Sequence, residues 1–146
     1  MATTAAEVTI LPSILGIESA CLSAWPAVGT VHDGAWLWRF AHGYSKRSNS
    51  FQSLDPEDDE DAERRIDYLA ALSVRHGIAP VFRVTPLAGG RVLDALDRAG
   101  WSTYEESRVL AMSLADCAFE PAGDVRFFNP TDPRWYRAQS TLSQST

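Results

Sequence analysis

The stretch RFAHGYSKRSNSF, residues 39–51, sets two adjacent cations, Lys46 and Arg47, among hydroxyl and amide side chains. Ammonium and guanidinium groups donate hydrogen bonds and accept none, so with neighbouring hydroxyls they suit a phosphate or a carboxylate. Tyr44, Ser45, Lys46 and Arg47 are thus candidates for holding a phosphate-bearing ligand, and Asn49 and Ser50 for lining a substrate pocket. Arg39 and Arg83 join them as substrate-binding candidates, because each interrupts an otherwise apolar strand pattern. A buried guanidinium needs a partner, so each either meets a carboxylate such as Glu105 or Glu106 or faces a ligand cleft. Plainer readings stand beside these. Lys46 and Arg47 also suit pairing with the acidic run that follows, and Asn and Ser are ordinary turn residues.

Other chemistries find less support. His32, His42 and His76 show no metal-ligand spacing, and no metal is expected; His42 alone sits at the mouth of the loop. Cys21 and Cys117 lie far apart and match no redox or metal motif. Cys21 falls on the apolar side of a predicted helix, which predicts a buried thiol. No local motif supports Ser-His-Asp or Cys-His catalysis. The net charge of −6, with no basic stripe, argues against nucleic acid as a partner. No apolar run is long enough to span a bilayer, and the N-terminus lacks a cationic leader, so no membrane partner and a cytoplasmic location are expected.

The elements that must position these residues follow from periodicity. Ser13 caps a helix near 14–25 whose inward stripe is Ile14, Ile17, Cys21 and Trp25, stopped by Pro26. VGTVHDGAWLWRFA predicts a hairpin turning at Asp33-Gly34. On its second strand Trp36, Trp38 and Phe40 share one face, and Leu37 and Arg39 take the other. Both faces are mostly apolar, which predicts an interior strand. Asp55-Pro56 opens a second helix running to His76, with Ala62, Ile66, Leu69, Ala70 and Ser73 inward and Gly77 ending it. PVFRVTP predicts a strand and GGRVLDALDRAG a helix, with Val92, Leu93, Leu96 and Ala99 inward and Gly100 after its end. Residues 101–114 and DVRFF at 124–128 predict further strands, and DPRWYRAQ a short helix. The fold class is α/β, a mixed sheet with helices on both faces.

This order resembles the GNAT acyltransferase fold, in which a central strand leads into a pyrophosphate-binding loop and helix. A further strand, a helix of pattern A-x-x-L-Y-E-x-x-G-F and an antiparallel strand follow. AWLWRFA resembles the central strand, GYSKRSNSFQSL the loop, and VLDALDRAGW the later helix with its Gly-aromatic ending. WPAVGTVHDGAWLWRFAHGYSKRSNS with PVFRVTPLAGGRVLDALDRAGW resembles more narrowly the N-terminal lobe of bacterial two-lobed GNAT proteins, whose complete coenzyme signature lies in the second lobe. The resemblance implies a mostly antiparallel GNAT-like sheet, acetyl-CoA as cosubstrate, and acetyl transfer to a primary amine. It assigns Tyr44, Ser45, Lys46 and Arg47 to the coenzyme.

The departures are chemical. SKRSNS lacks the glycine pair of the Q/R-x-x-G-x-G/A loop, and Leu96 stands where the tyrosine that protonates the thiolate belongs. Asp55, Glu57, Asp58, Asp59, Glu60 and Asp61, expected at the following helix's N-terminus, would repel a pyrophosphate. The expectation is therefore a flexible stretch over 1–12, a degenerate accessory lobe over 13–128, and a linker or the start of a missing second lobe over 129–146. That lobe is not catalytic alone and packs on a second GNAT lobe or on another copy through its C-terminal segment. A single-lobe acetyltransferase with an atypical loop, and a small-ligand or protein-binding module, are the other readings.

Overall fold

The alternation read from the Trp-rich run sets the sheet. Strands β1 (Gly29–Asp33), β2 (Trp36–Phe40) and β3 (Phe51–Ser53) form an antiparallel ladder in that order, with β2 inside as expected. Gly34 makes the first turn at φ +60, and a Cβ there would stand 2.5 Å from Asp58 Oδ2, so only glycine fits. The segment expected as strand PVFRVTP contributes one parallel bridge, Phe51 to Phe82. The Phe51 amide donates to the Val81 carbonyl at 2.9 Å, and the Arg83 amide to the Phe51 carbonyl at 2.8 Å. The protein is thus α/β with a mixed sheet.

In this computed structural model residues 13–112, 118, 123, 125–129 and 131–143 are described. They fall into two compact units, one ending at Met112 and one beginning at Ser113. In the second unit α4 (Pro133–Ser143) follows Asp132, whose Oδ1 accepts from the Arg134 amide at 2.8 Å. Among the described residues no helix is long and apolar enough to cross a membrane.

In the first unit, Trp36, Trp38 and Phe51 share one face of the sheet, and α2 (Ala62–Arg75) and α3 (Gly90–Arg98) cover it. Ile66, Leu69, Val92, Ala95 and Leu96 complete the core. Phe82 meets Phe51 and Trp36 edge-on, with ring centroids 5.3 and 5.5 Å apart. The Trp38 indole donates to Ser73 Oγ at 2.8 Å, so the one polar group that the tryptophan buries is satisfied. Most of the α2 stripe is buried as its spacing predicts; on α3, Ala95 replaces Leu93 and Ala99, which point outward. Both helices end on a Schellman motif. Gly77 and Gly100 have φ +70 and +72, and the amides of Ile78 and Trp101 donate back to the carbonyls of Ser73 and Leu96.

The opposite face carries Leu37, Arg39 and Gln52, and α1 (Ile14–Ala24) lies over it, so helices flank both faces. Ser13 caps α1 as expected, accepting from the Gly16 amide at 3.1 Å. The stripe is not as expected. Ile14 is 46% exposed, Trp25 and Cys21 are exposed, and the buried residue is Glu18. A sheet face bearing two arginines attracts a carboxylate more strongly than an aliphatic stripe.

Three element boundaries are corrected. FQS, read as part of a strand-to-helix loop, is β3, so residues 41–50 join two antiparallel strands. The second helix begins at Ala62 rather than Asp55, because the chain from 55 to 61 is engaged elsewhere: Asp58 bonds to Ala35, Trp36 and Arg65. Asp61, just before the helix, has φ +53. The expected strand at 101–114 is absent over the described residues 101–112, which include the left-handed Glu105 at φ +55. Residues 113 and 114 lie outside the described residues, as does Asp124, and residues 125–128 form no strand.

Leu69 is fully buried between sheet and helices. Leu69→Ala is expected to lower unfolding free energy by about 3 kcal/mol, measured by urea denaturation with an unchanged m-value.

Candidate functional site

Two polar assemblies in the first unit lie at opposite ends of the β2–β3 hairpin, with a buried cluster between them under α1. In that cluster Glu18 is 4% exposed. Its carboxylate accepts from Arg83 through both oxygens, Oε1 taking Nη2 at 3.1 Å and Oε2 taking Nη1, and from Gln52 Nε2 at 3.3 Å. Arg83 Nη1 also donates to Gln52 Oε1 at 3.2 Å. Arg39, 5% exposed, pairs with no carboxylate among the described residues. It donates to the Leu22 and Trp25 carbonyls at the end of α1 and to the Arg47 carbonyl at 2.7 Å. Burial first, and then the Arg83 charge, push the Arg39 guanidinium below its usual range. Of the partners expected, neither Glu105 nor Glu106 reaches these arginines. The carboxylate that reaches Arg83 is Glu18, which helical periodicity hides because it sits among apolar neighbours on α1.

The loop from 41 to 50 is built around Asn49. Its Oδ1 accepts from the amides of Ala41 at 2.7 Å and Gly43 at 2.9 Å, and its Nδ2 donates to the Ser45 carbonyl at 2.7 Å. Asn49 and Ser50 are buried, so the hydrogen bonds of Asn49 are spent on the loop itself. A short 3-10 turn over Lys46–Ser48 then presents Lys46 and Arg47 outward. Lys46 pairs with Glu105 and lies 4.7 Å from the Tyr104 ring centroid; the Glu105 hydrogen bond chiefly raises its pKa. Arg47 lies over Trp25 at 5.5 Å and forms no carboxylate pair among the described residues. The structure thus joins Arg39, Arg83 and Arg47 into one neighbourhood, while Tyr44 on the same loop is 85% exposed.

The acidic run gathers at the other end. Leu54 and Ala35 hydrogen-bond there, and Arg65 gathers Asp33 and Asp58. Arg65 is 5% exposed and lies 4.3 Å over the Trp36 ring. Burial works to lower its pKa, but hydrogen bonds to Asp58 and Asp33 outweigh that and hold it raised. The Arg65 hydrogen bond holds Asp58 below the ordinary carboxylate range against its partial desolvation, with the Ala35 amide at 2.7 Å assisting. Asp59 accepts from the Arg91 amide at the start of α3, at 3.2 Å. A shallow cavity of about 520 Å³ lies between this turn and α3, lined by Glu57, Asp59, Glu60, Gly89 and Arg91 among others. Two carboxylates of the run therefore serve as internal ligands, one to Arg65 and one to a helix end. Among the described residues no group of three or more His, Cys, Asp or Glu side chains is arranged to hold a metal ion.

Two expectations test these assemblies. Glu18→Ala strands Arg83 and should cost about 2 kcal/mol, and adding Arg83→Met should recover more than half of it, read from a double-mutant cycle in denaturant. Asp58 has a depressed folded pKa, so its stabilisation is present above the unfolded carboxylate range near pH ~4 and is lost as pH falls through the folded pKa. Asp58→Asn should therefore be less stable at pH 7 and converge with the parent in acid, followed by thermal melts across that range.

Residues 12–144 match the model of the family described as Probable histone acetyltransferase Rv0428c C-terminal. No curated protein matches the chain, and no solved structure does. The description refers to the C-terminal part of its namesake, whereas the likeness drawn from the sequence is to an N-terminal lobe. Since the match spans nearly the whole sequence, this chain belongs to that acetyltransferase-related family.

Proposed function

We propose that the chain is a GNAT-like lobe whose coenzyme cradle has become acidic, and that it acts as an accessory to acetyl transfer. The observation that carries this reading is the path from β3 through residues 54–61 and α2 to the parallel return of Phe82 beside Phe51, followed by α3. That path follows the family's strand–loop–helix–strand–helix order, with β3 rather than β2 in the central position. The cradle position then falls on LDPEDDED, which contains no glycine and whose Asp58 and Asp59 are already engaged. A pyrophosphate there would meet carboxylates instead of free amides. Leu96, in the place of the proton-donating tyrosine, is buried in the core and has no proton to give.

In the reaction this lobe serves, a neutral primary amine attacks the thioester carbonyl of acetyl-CoA, the C–S bond breaks, and CoA leaves as a thiolate that takes up the proton the amine loses; this lobe packs on the one that performs it. The exposed Tyr136 and Leu142 of α4 supply apolar contact for such a lobe or for a second copy. Calorimetric titration of the chain with acetyl-CoA at low salt is expected to give no saturable heat. Mass spectrometry of a primary-amine panel incubated with chain and acetyl-CoA is expected to find no acetylation. Saturable binding with turnover would overturn the accessory reading in favour of a single-lobe enzyme.

A further inference from the structure

We propose that Glu18 occupies a carboxylate-binding site built on the sheet by Arg83, Gln52 and Arg39, and that α1 is a displaceable cover over it. When α1 lifts, the site takes a small aliphatic carboxylate in place of Glu18. This goes beyond acetyl transfer and does not rest on the accessory reading.

The way α1 is attached makes it displaceable. Glu18 is the buried residue of this helix, whereas α2 buries Ala62, Ile66 and Leu69 among others. Ile17 and Leu22 are half-buried, and Ile14 and Leu15 are exposed, so little apolar area holds α1 to the sheet. Its attachments are polar. The Glu18 carboxylate meets Arg83 and Gln52, and the Leu22 and Trp25 carbonyls at the helix end meet Arg39. A buried ion pair offsets little more than its own desolvation, and water satisfies these groups once the helix is away. Local opening of α1 therefore requires less free energy than unfolding of the Trp-lined core.

The donors of the site stay behind on strands. Gln52 is in β3, Arg39 in the interior strand β2, and the Arg83 amide is bonded to the Phe51 carbonyl of β3. Gln52 Oε1 accepts from Arg83 Nη1 at 3.2 Å, which orients the guanidinium without help from α1. A guanidinium already oriented loses less freedom when a carboxylate binds through two parallel bonds. Gln52 Nε2 adds a further donor, 3.3 Å from Glu18 Oε2. The Arg83 side chain is 33% accessible even with α1 in place, so part of it already faces water.

Charge and shape select the ligand. Two guanidiniums share this cluster with one carboxylate, and the Arg83 charge acts unfavourably on Arg39. An anion is thus favoured over a neutral or cationic ligand. Leu37, paired across from Gln52 and buried on the same sheet face, suits a short aliphatic stem such as that of Glu18 itself.

The test follows native-state hydrogen exchange in the ¹⁵N-labelled full chain, with propionate as the probe because it reproduces the Glu18 side chain. Without additive, the α1 amides are expected to exchange roughly a hundredfold or more faster than those of Ile66 and Leu69. Relative to sodium chloride at equal ionic strength, propionate should accelerate the α1 amides in proportion to 1 + [propionate]/Kd, and propionamide should not. Propionate should also raise the melting temperature of Glu18→Ala saturably, and leave Glu18→Ala with Arg83→Met unmoved. Protection of α1 equal to that of α2, propionate acting on the parent no differently from chloride, or a response that survives Arg83→Met would each overturn the proposal. A response in Glu18→Ala alone, with the parent's α1 unaffected, would make the pair purely structural and overturn it as well. Propionate carries no thioester, so these outcomes leave the accessory reading to the acetyl-CoA titration.

Discussion

The hydrogen-bonded ion cluster of Arg65 with Asp58 and Asp33 fixes more of this fold than any single apolar contact. It ties the first residues of α2 to the β1–β2 turn and, through the Asp58 carbonyl and the Trp36 indole, to the core strand. A buried guanidinium with one carboxylate would be costly; with two carboxylates, two backbone carbonyls and an indole face beneath it, the desolvation is compensated. Because residues 55–61 are held this way, the helix cannot start at Asp55 despite a favourable Asp-Pro opening. The acidic run becomes an ordered turn at one end of the sheet. Its position there, rather than beside Lys46 and Arg47, sets the electrostatic character of both ends.

β2 divides the remaining work between its two faces. Trp36 and Trp38 supply the apolar face that α2 and α3 cover. Arg39, on the other face, dictates what lies above it: carbonyls at the end of α1 and, through its neighbour Arg83, the carboxylate of Glu18. This explains why α1 buries a glutamate while Ile14 and Trp25 stay partly in water. The helix is positioned by charge and hydrogen bonding rather than by an apolar stripe.

These features also mark what sequence could and could not reveal. Trp36, Leu69 and Val92 recur at periods that only a strand or a helix produces, so the core was legible, as were Ser13, Gly77 and Gly100 as punctuation. Glu18 was not, because local periodicity cannot register a partner 65 residues away in Arg83. β3 was missed because three residues are too few to show alternation, and SNSFQSL has the composition of a loop. The start of α2 was misplaced because capping preference was outbid by tertiary hydrogen bonds from Ala35, Trp36 and Arg65. For the candidate site, Tyr44 to Arg47 were legible as an exposed cationic loop. That the loop joins two strands, with no helix N-terminus behind it, was a matter of topology.

Topology changes what the loop's chemistry has to overcome. In a strand-to-helix connection the carboxylates at 55–61 would stand beside Lys46 and Arg47, and six negative charges would dominate two positive ones. In the hairpin the same charges are a strand length apart, and buried Arg39 donates to the Arg47 carbonyl of the loop instead. The carboxylates of 55–61 and the cations of the 41–50 loop are therefore separate sets. No side chain is shared between the two ends. Each end can then change by substitution without disturbing the core that separates them.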